Sequence, residues 1–277
     1  MDVAVITSVR NDDFFLSRWI DYYGSNFGHK NLYVILDGQD QPTPDHAPEV
    51  NTLTMPRKPL ERVPAMRRRA RLVSDIARGL FRFYDVVIAG DVDEFIIPDP
   101  DHYPDLRTFI EAHQNTTSSI SGLGLDVGQH IRLESELDPS KKMLDQRRFA
   151  HLSSRYTKPS ISYKPCTWGS GFHRIKRQNF HISDKLYDFH FGMIDYARST
   201  GKTADKDRLA TGWGGHLERR ERLFKIIDES TPMPGDDYFP TARRLQTWRR
   251  PWFAWNKPAM IKGDPVIEIP ERFRGII

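Results

Sequence analysis

Cysteine is almost absent: Cys166 is the only one in 277 residues, which excludes an intrachain disulfide and any zinc site built on several thiolates. A single thiol fits a reducing compartment, and cytoplasm is the expected setting. Long apolar runs are also lacking, since no stretch approaches the roughly 18 to 20 residues that span a bilayer. The opening run from Val3 to Val9 stops at Arg10, too short and wrongly flanked for a secretory signal. Charge of one sign is missing as well. Forty-one Lys and Arg face 37 Asp and Glu for a formal net charge of +4, which gives no global electrostatic case for nucleic acid. There is no internal repeat, no low-complexity tract and no Gly-x-x-x-x-Gly-Lys phosphate loop.

The composition that remains, 38% hydrophobic and 28% charged, is that of a folded body with a solvated surface. Arginine is bunched rather than spread: Arg67-Arg68-Arg69 with Arg71, Arg147-Arg148, Arg219-Arg220 with Arg222, Arg243-Arg244 and Arg249-Arg250. Such clusters suit diphosphates, acidic glycans or anionic headgroups, and equally the solvated faces of helices.

Hydrophobic spacing predicts alternating strands and helices. Val3 to Val9 is a nearly unbroken β-type run, as for a strand covered on both faces. Arg10 to Asp13 reads as a loop ending in a helix cap, after which Leu16, Ile20, Tyr23 and Phe27 recur at helical spacing. Leu32 to Leu36 is a second strand, closed by Asp37-Gly38 and a proline-rich loop. Met66, Ala70, Val73, Ala77, Leu80 and Tyr84 mark a long helix, and Val86 to Gly90 a third buried strand. This order predicts an α/β fold with a mostly parallel sheet flanked by helices, whose ligands sit at the carboxyl ends of the strands. Leu106 to His113 is expected to be helical, and Ile120 to Val127 a strand broken by Gly122 and Gly124. Tyr163 to Phe172 and Thr211 to Gly215 are expected to be loops that line a pocket.

The acidic cluster Asp91-Val92-Asp93-Glu94 falls at such a strand end, between apolar runs. Three carboxylates so placed repel one another and lose solvation, a cost commonly relieved by a cation or by basic partners. In an extended segment Asp91 and Asp93 point the same way and can converge on Mn2+ or Mg2+, while Glu94 points oppositely. His190, within Tyr187-Asp188-Phe189-His190-Phe191, is a candidate third ligand, with a buried structural histidine as the alternative. Asp126 is the first candidate for a catalytic base and Glu94 the second. His173, after Trp168-Gly169-Ser170-Gly171, is a candidate for the pocket wall, and Gly214-Gly215-His216 invites the same reading.

Ser8-Val9-Arg10-Asn11-Asp12, Trp19-Ile20-Asp21-Tyr22-Tyr23, Leu36-Asp37-Gly38, Ala70-Arg71 and Asp91-Val92-Asp93-Glu94-Phe95 together resemble the nucleotide-binding half of glycosyltransferase family 2-like enzymes. The resemblance is to the branch whose acidic motif continues as Asp-Glu-Phe. Later segments are similar to that family's Lys-Pro, His and His-Tyr-x-x-x-Ser elements. These are Lys164-Pro165 with His173, and His190 with Tyr196-Ala197-Arg198-Ser199 and Lys206, with Phe191 where the family carries Tyr. The resemblance implies a GT-A fold, a nucleotide-sugar donor, a divalent metal, and a glycan or lipid-linked acceptor. It implies that Thr7, Arg10 and Asn11 border the base and ribose and that Asp37 hydrogen-bonds the nucleoside. Arg71 would approach the nucleoside or diphosphate, Asp91 would face ribose and metal, and Asp93 would face the metal.

The expected organisation is a transferase domain over residues 1–240, with a nucleotide-binding half near 1–100 and an acceptor half near 101–240. Residues 241–277 form a basic, aromatic extension, with Trp248, Trp252, Phe253 and Trp255 among Arg249, Arg250 and Lys257. That extension suits contact with a membrane surface, or ordinary packing on the domain. Two other classes use the same features: a metal-dependent nucleotidyltransferase or phosphohydrolase, and a binding module that recognises glycan or nucleotide without turnover.

Overall fold

The computed structural model describes residues 1–45, 47–114, 116–203, 214–248 and 252–277. Strand β1 (Val3–Val9) occupies the centre of a parallel set with β2 (Leu32–Asp37), β3 (Asn51–Met55) and β4 (Val86–Ala89), in the order β4-β1-β2-β3. Successive side chains of β1 go to opposite faces. Val3, Val5 and Val9 pack against helix α1 (Asp13–Phe27) through its Phe15, Leu16, Trp19, Ile20, Tyr23 and Phe27. Ala4 and Ile6 pack with Val73, Ala77 and Leu80 of helix α2 (Arg62–Leu80) on the other face. The unbroken apolar run is thus explained by cover on both sides. Tyr84, expected on the long helix, lies beyond its end, its hydroxyl 2.9 Å from that of Tyr33.

Parallel pairing puts the carboxyl ends of all these strands along one edge. The chain leaves β1 there at Arg10, β2 at Gly38, β3 at Pro56 and β4 at Gly90. Strand β5 (Glu94–Pro98) follows, then helix α3 (Leu106–Ala112) and strand β6 (Ser119–Gly128), whose ten residues are all buried. β6 joins two regions of sheet. Its start pairs antiparallel with β8 (Ile161–Ser162), itself antiparallel to β4. Its end runs between β7 (Phe149–Leu152, antiparallel) and β9 (Ile182–Met193, parallel), and β9 pairs antiparallel with β5. The sheet is therefore parallel over β4-β1-β2-β3 and mixed beyond it.

Gly122 and Gly124 do not break β6, as periodicity suggested; they let neighbouring backbone press onto it. A Cβ on Gly124 would stand 2.4 Å from the Thr157 nitrogen and from the Tyr156 carbonyl carbon. The Gly124 N–H donates to Thr157 Oγ1 at 2.9 Å, and Ser153 N–H donates to the Gly124 carbonyl at 3.1 Å. Segment 153–158 is thereby laid along the strand. Gly124→Ala is expected to cost about 3 kcal/mol, because the clash is with backbone that no rotamer change relieves. Urea unfolding of the variant measures it, and an unchanged midpoint would contradict the packing described.

Helix α4 (Met143–Gln146) precedes β7, α5 (Tyr196–Thr203) follows β9, and α6 (Gly214–Glu229) packs over β7 and β6. Residues 211–213 lie outside the description, and Gly214 and Gly215 open α6 rather than extend a loop. Strand β10 (Met233–Pro234) leads into α7 (Gly235–Trp248), and β11 (Val266–Glu268) pairs with β7 and β10. Residue 240 falls inside α7. Arg272 ties the last residues to the body through Asp99 at 2.9 Å and Asp236 at 2.6 Å. Trp248 and Trp252 are 81% and 87% exposed. Among the described residues no helix is long and apolar enough to cross a membrane.

Candidate active site

The shared strand edge opens onto a cavity of about 950 Å³. Ser8, Arg10, Asn11, Asp37, Arg57 and Arg69 line one end, and Asp91, Val92 and Asp93 the floor. Asp126, His151, Arg222 and Asp264 line the other end, with Leu223, Ile226, Met260 and Ile261 as an apolar wall. Of the residues singled out from sequence, Arg10, Asn11, Asp37, Asp91, Asp93, Asp126, His173 and His190 meet this cavity.

Arg10 grips Asp40 at 2.5 and 2.7 Å and donates to the Asp37 carbonyl at 3.2 Å. Asn11 takes φ 48°, a conformation Asn tolerates better than most residues, and its N–H donates to Gln41 Oε1 at 2.7 Å. Three expected residues are not among those lining the cavity: Glu94, which is buried, Thr7 and Arg71. Thr7 is fully buried and its hydroxyl donates to the Gly90 carbonyl at 3.1 Å, pinning β1 to the end of β4; Ser8 is the residue that reaches the wall. Arg71 is exposed and lines a separate shallow hollow with Pro64, Arg67 and Arg68. Arg69 faces the cavity instead, because positions two apart on a helix differ by roughly 200°.

The acidic cluster lies in a turn rather than in an extended segment: Glu94 N–H donates to the Asp91 carbonyl at 3.1 Å. Strand alternation therefore does not set its side chains, and Glu94 joins the cluster instead of pointing away. The ammonium of Lys158, 2% exposed, lies 2.8 Å from Asp91 Oδ2 and also donates to Glu94 Oε1. Arg69 Nη2 stands 2.6 Å from Asp91 Oδ1 but off the N–H direction, so this is an ion pair without a hydrogen bond. Burial alone would raise the pKa of Asp91, but Arg69 and Lys158 outweigh it and hold it at about 2. Burial wins at Glu94 and pushes its carboxyl up to about 7 against the pull of Lys158.

Asp93 turns the other way. Its Oδ2 is 3.4 Å from His190 Nε2, and His190 Nδ1 is 2.6 Å from Asp126 Oδ1. The imidazole stacks on Tyr156, ring centroids 3.8 Å apart. Burial would strip the proton from His190, yet Asp93 and Asp126 outweigh it and hold its pKa up at about 9. At His173 burial and the nearby Lys158 act together and lower the pKa to about 4. His173 Nδ1 lies 2.9 Å from the Arg155 carbonyl and is neutral near pH 7. Beneath the floor Asp188 is fully buried, neither of its oxygens has a hydrogen-bond partner among the described residues, and burial beside Glu94 raises its pKa far above the carboxylate range.

These shifts have a signed consequence. Glu94 ionises near 4.5 in the unfolded chain and near 7 in the folded one; His190 does so near 6.5 and near 9. The folded protein binds the extra protons, so both groups make stability fall as pH rises across that span. The depressed Asp91 acts oppositely only below pH 3.8, and the lowered His173 acts oppositely between about 4 and 6.5, where it offsets Glu94. The metal-free protein is therefore expected to melt at progressively lower temperature from pH 6.5 to pH 9 in EDTA. A melting temperature that rises over that range would contradict the charge arrangement.

Asp93, Glu94 and His190 each offer a ligand atom, and these atoms lie within 4.8 Å of one another. Two carboxylate oxygens and an imidazole nitrogen form a donor set that suits Mn2+, and the grip of Asp126 on Nδ1 orients the ring for coordination through Nε2. The carboxylates that converge with His190 are Asp93 and Glu94, while Asp91, expected from sequence beside Asp93 and His190, is engaged by Arg69 and Lys158. Sequence reading missed Lys158 and Tyr156 and did not separate Arg69 from the other arginines of its run. Lys158-Pro159 repeats the dipeptide of Lys164-Pro165, but Lys164 is exposed and away from the cavity. Lys206, Arg249 and Arg250 lie outside the described residues, as do the side chains of His216, Arg219 and Arg220.

No family model and no curated protein matches the chain. Solved structures similar to it include mannose-1-phosphate geranyltransferase from Thermus thermophilus, at 11% identity and a TM-score of 0.32, covering 83% of this chain and 69% of that one. Another is CMP:2-keto-3-deoxy-manno-octonic acid synthetase complexed with CTP, at 8% identity and a TM-score of 0.30, covering 80% and 87%. Scores of this size carry no argument, and the fold stands on the strand order and register above.

Proposed function

We propose that this chain is a glycosyltransferase, moving a sugar from a nucleotide-sugar donor to a glycan or lipid-linked acceptor with a divalent ion, Mn2+ or Mg2+. The observation that carries the reading is the Asp93, Glu94 and His190 donor set, of which Asp93 and His190 line a cavity that Arg10, Arg57 and Arg69 also line. The ion would be held by that set and would supply Lewis-acid stabilisation to the departing diphosphate. Arg10, Asn11 and Asp37 border the nucleoside, and Arg69 faces the diphosphate. Asp126 is the base: it takes the proton of the acceptor hydroxyl while that oxygen bonds to the anomeric carbon and the sugar–phosphate bond breaks, which is an inverting transfer. His190 keeps Asp126 in place through their 2.6 Å contact.

A cytoplasmic setting, with peripheral contact at a membrane through residues 241–277, belongs to the same reading; the exposure of Trp248 and Trp252 supports it. The test is a panel of nucleotide sugars with and without Mn2+. Metal-dependent release of nucleoside diphosphate from one of them is the expected result. Cleavage of plain nucleoside triphosphates with no sugar released would point to the nucleotidyltransferase or phosphohydrolase class. Nucleotide binding without turnover or metal dependence would point to a binding module.

A further inference from the structure

The floor of the cavity carries a cation of its own. Lys158 is 2% exposed yet lines the cavity, and its ammonium bridges Asp91 and Glu94. Its placement is built into the fold, because segment 153–158 rests on the bare Cα of Gly124, with Thr157 bonded to that residue's N–H. Glu94 belongs both to this ion pair and to the trio that a metal would use. A lysine ammonium and a divalent ion sharing one carboxylate repel each other, and in a buried setting that repulsion is screened little.

We propose that Lys158 is a resident counter-cation that competes with the divalent ion for Glu94, so that the ligand-free site binds metal weakly and fills only when a diphosphate brings further negative charge. The competition rests on the metal assignment above; the role of the diphosphate rests on the transferase reading. Asp91 is the anchor of this device: paired with Arg69 and Lys158, it holds the ammonium at the floor. Metal and nucleotide then bind together rather than in succession, which guards against occupation by a stray ion.

Loss of the free Mn2+ electron paramagnetic resonance signal measures binding of Mn2+ alone, without turnover. Lys158→Met removes the competitor and is expected to tighten Mn2+ at least tenfold in the nucleotide-free protein. That variant leaves two carboxylates uncompensated and can fail to fold, so the deciding form is Lys158→Met with Asp91→Asn, which removes one charge of each sign and keeps Asp93, Glu94 and His190. It should also bind Mn2+ at least tenfold more tightly than the parent, whereas Lys158→Arg should stay at the parent's affinity. Equal or weaker binding by the folded double variant, or no Mn2+ binding by any form, overturns the proposal. UDP and GDP are then added to the parent, where at least tenfold tightening of Mn2+ by one of them is expected. If neither nucleotide binds, the transferase reading fails, while the Mn2+ comparison still decides the role of Lys158.

Discussion

Asp93→Ala is expected to lower turnover at least ~10³-fold, to background, while leaving the melting temperature within a few degrees of the parent. Asp93 is the carboxylate of the cluster that faces the His190 imidazole, whereas Asp91 and Glu94 face Lys158. Its side chain is 18% exposed at the cavity floor, so truncation opens no void in the core. Removing it deletes a ligand and also one of the two anions that keep His190 protonated. Initial rates with the best nucleotide sugar, set beside circular dichroism of the same preparation, measure both halves of the expectation. A folded variant with unchanged turnover removes the metal assignment.

Asp126→Asn is expected to lower kcat for transfer by about 10²- to 10⁴-fold with little change in the donor's KM. The amide keeps the shape of the carboxylate and its oxygen can still accept the 2.6 Å hydrogen bond from His190 Nδ1, so position survives while proton acceptance does not. A purely structural role predicts a different pattern, a loss of stability with donor binding weakened as well. The readout is therefore the split between kcat and KM, together with the pH profile of kcat. Full activity of the amide variant would move the base elsewhere.

The fold was more legible in the sequence than the site. Val3 to Val9, Leu32 to Leu36 and Val86 to Gly90 are apolar on both faces because helices cover both, and the spacing of Ala70, Val73, Ala77 and Leu80 marks the buried face of α2. Long regular elements announce themselves through such periodicity. The acidic cluster was visible for the same reason, as charge interrupting an apolar pattern. Its geometry was not visible, because the chain turns at Asp91 and period-two logic stops applying there, which brought Glu94 in and engaged Asp91 with basic partners.

Contacts across the chain were harder still. Lys158 reaches Glu94 across 64 residues through a loop whose course depends on the missing side chain of Gly124, and neither Lys158 nor Gly124 carries a local mark of that role. Arg69 and Arg71 looked interchangeable in a run of arginines; helix phase alone separates the one at the cavity from the one in solvent. Thr7 and Ser8 are separated by strand alternation in the same way. Sequence supplied residue types that suit the chemistry, and the three-dimensional path of the chain chose among them.

The most direct test is an anomalous difference map at the manganese edge, from crystals soaked with Mn2+ and the nucleoside diphosphate that binds best. The expected peak lies between Asp93, Glu94 and His190 Nε2, with the diphosphate oxygens on the ion and Arg69 alongside. A map with no peak there, the nucleotide bound elsewhere and these side chains facing only protein partners would contradict the account.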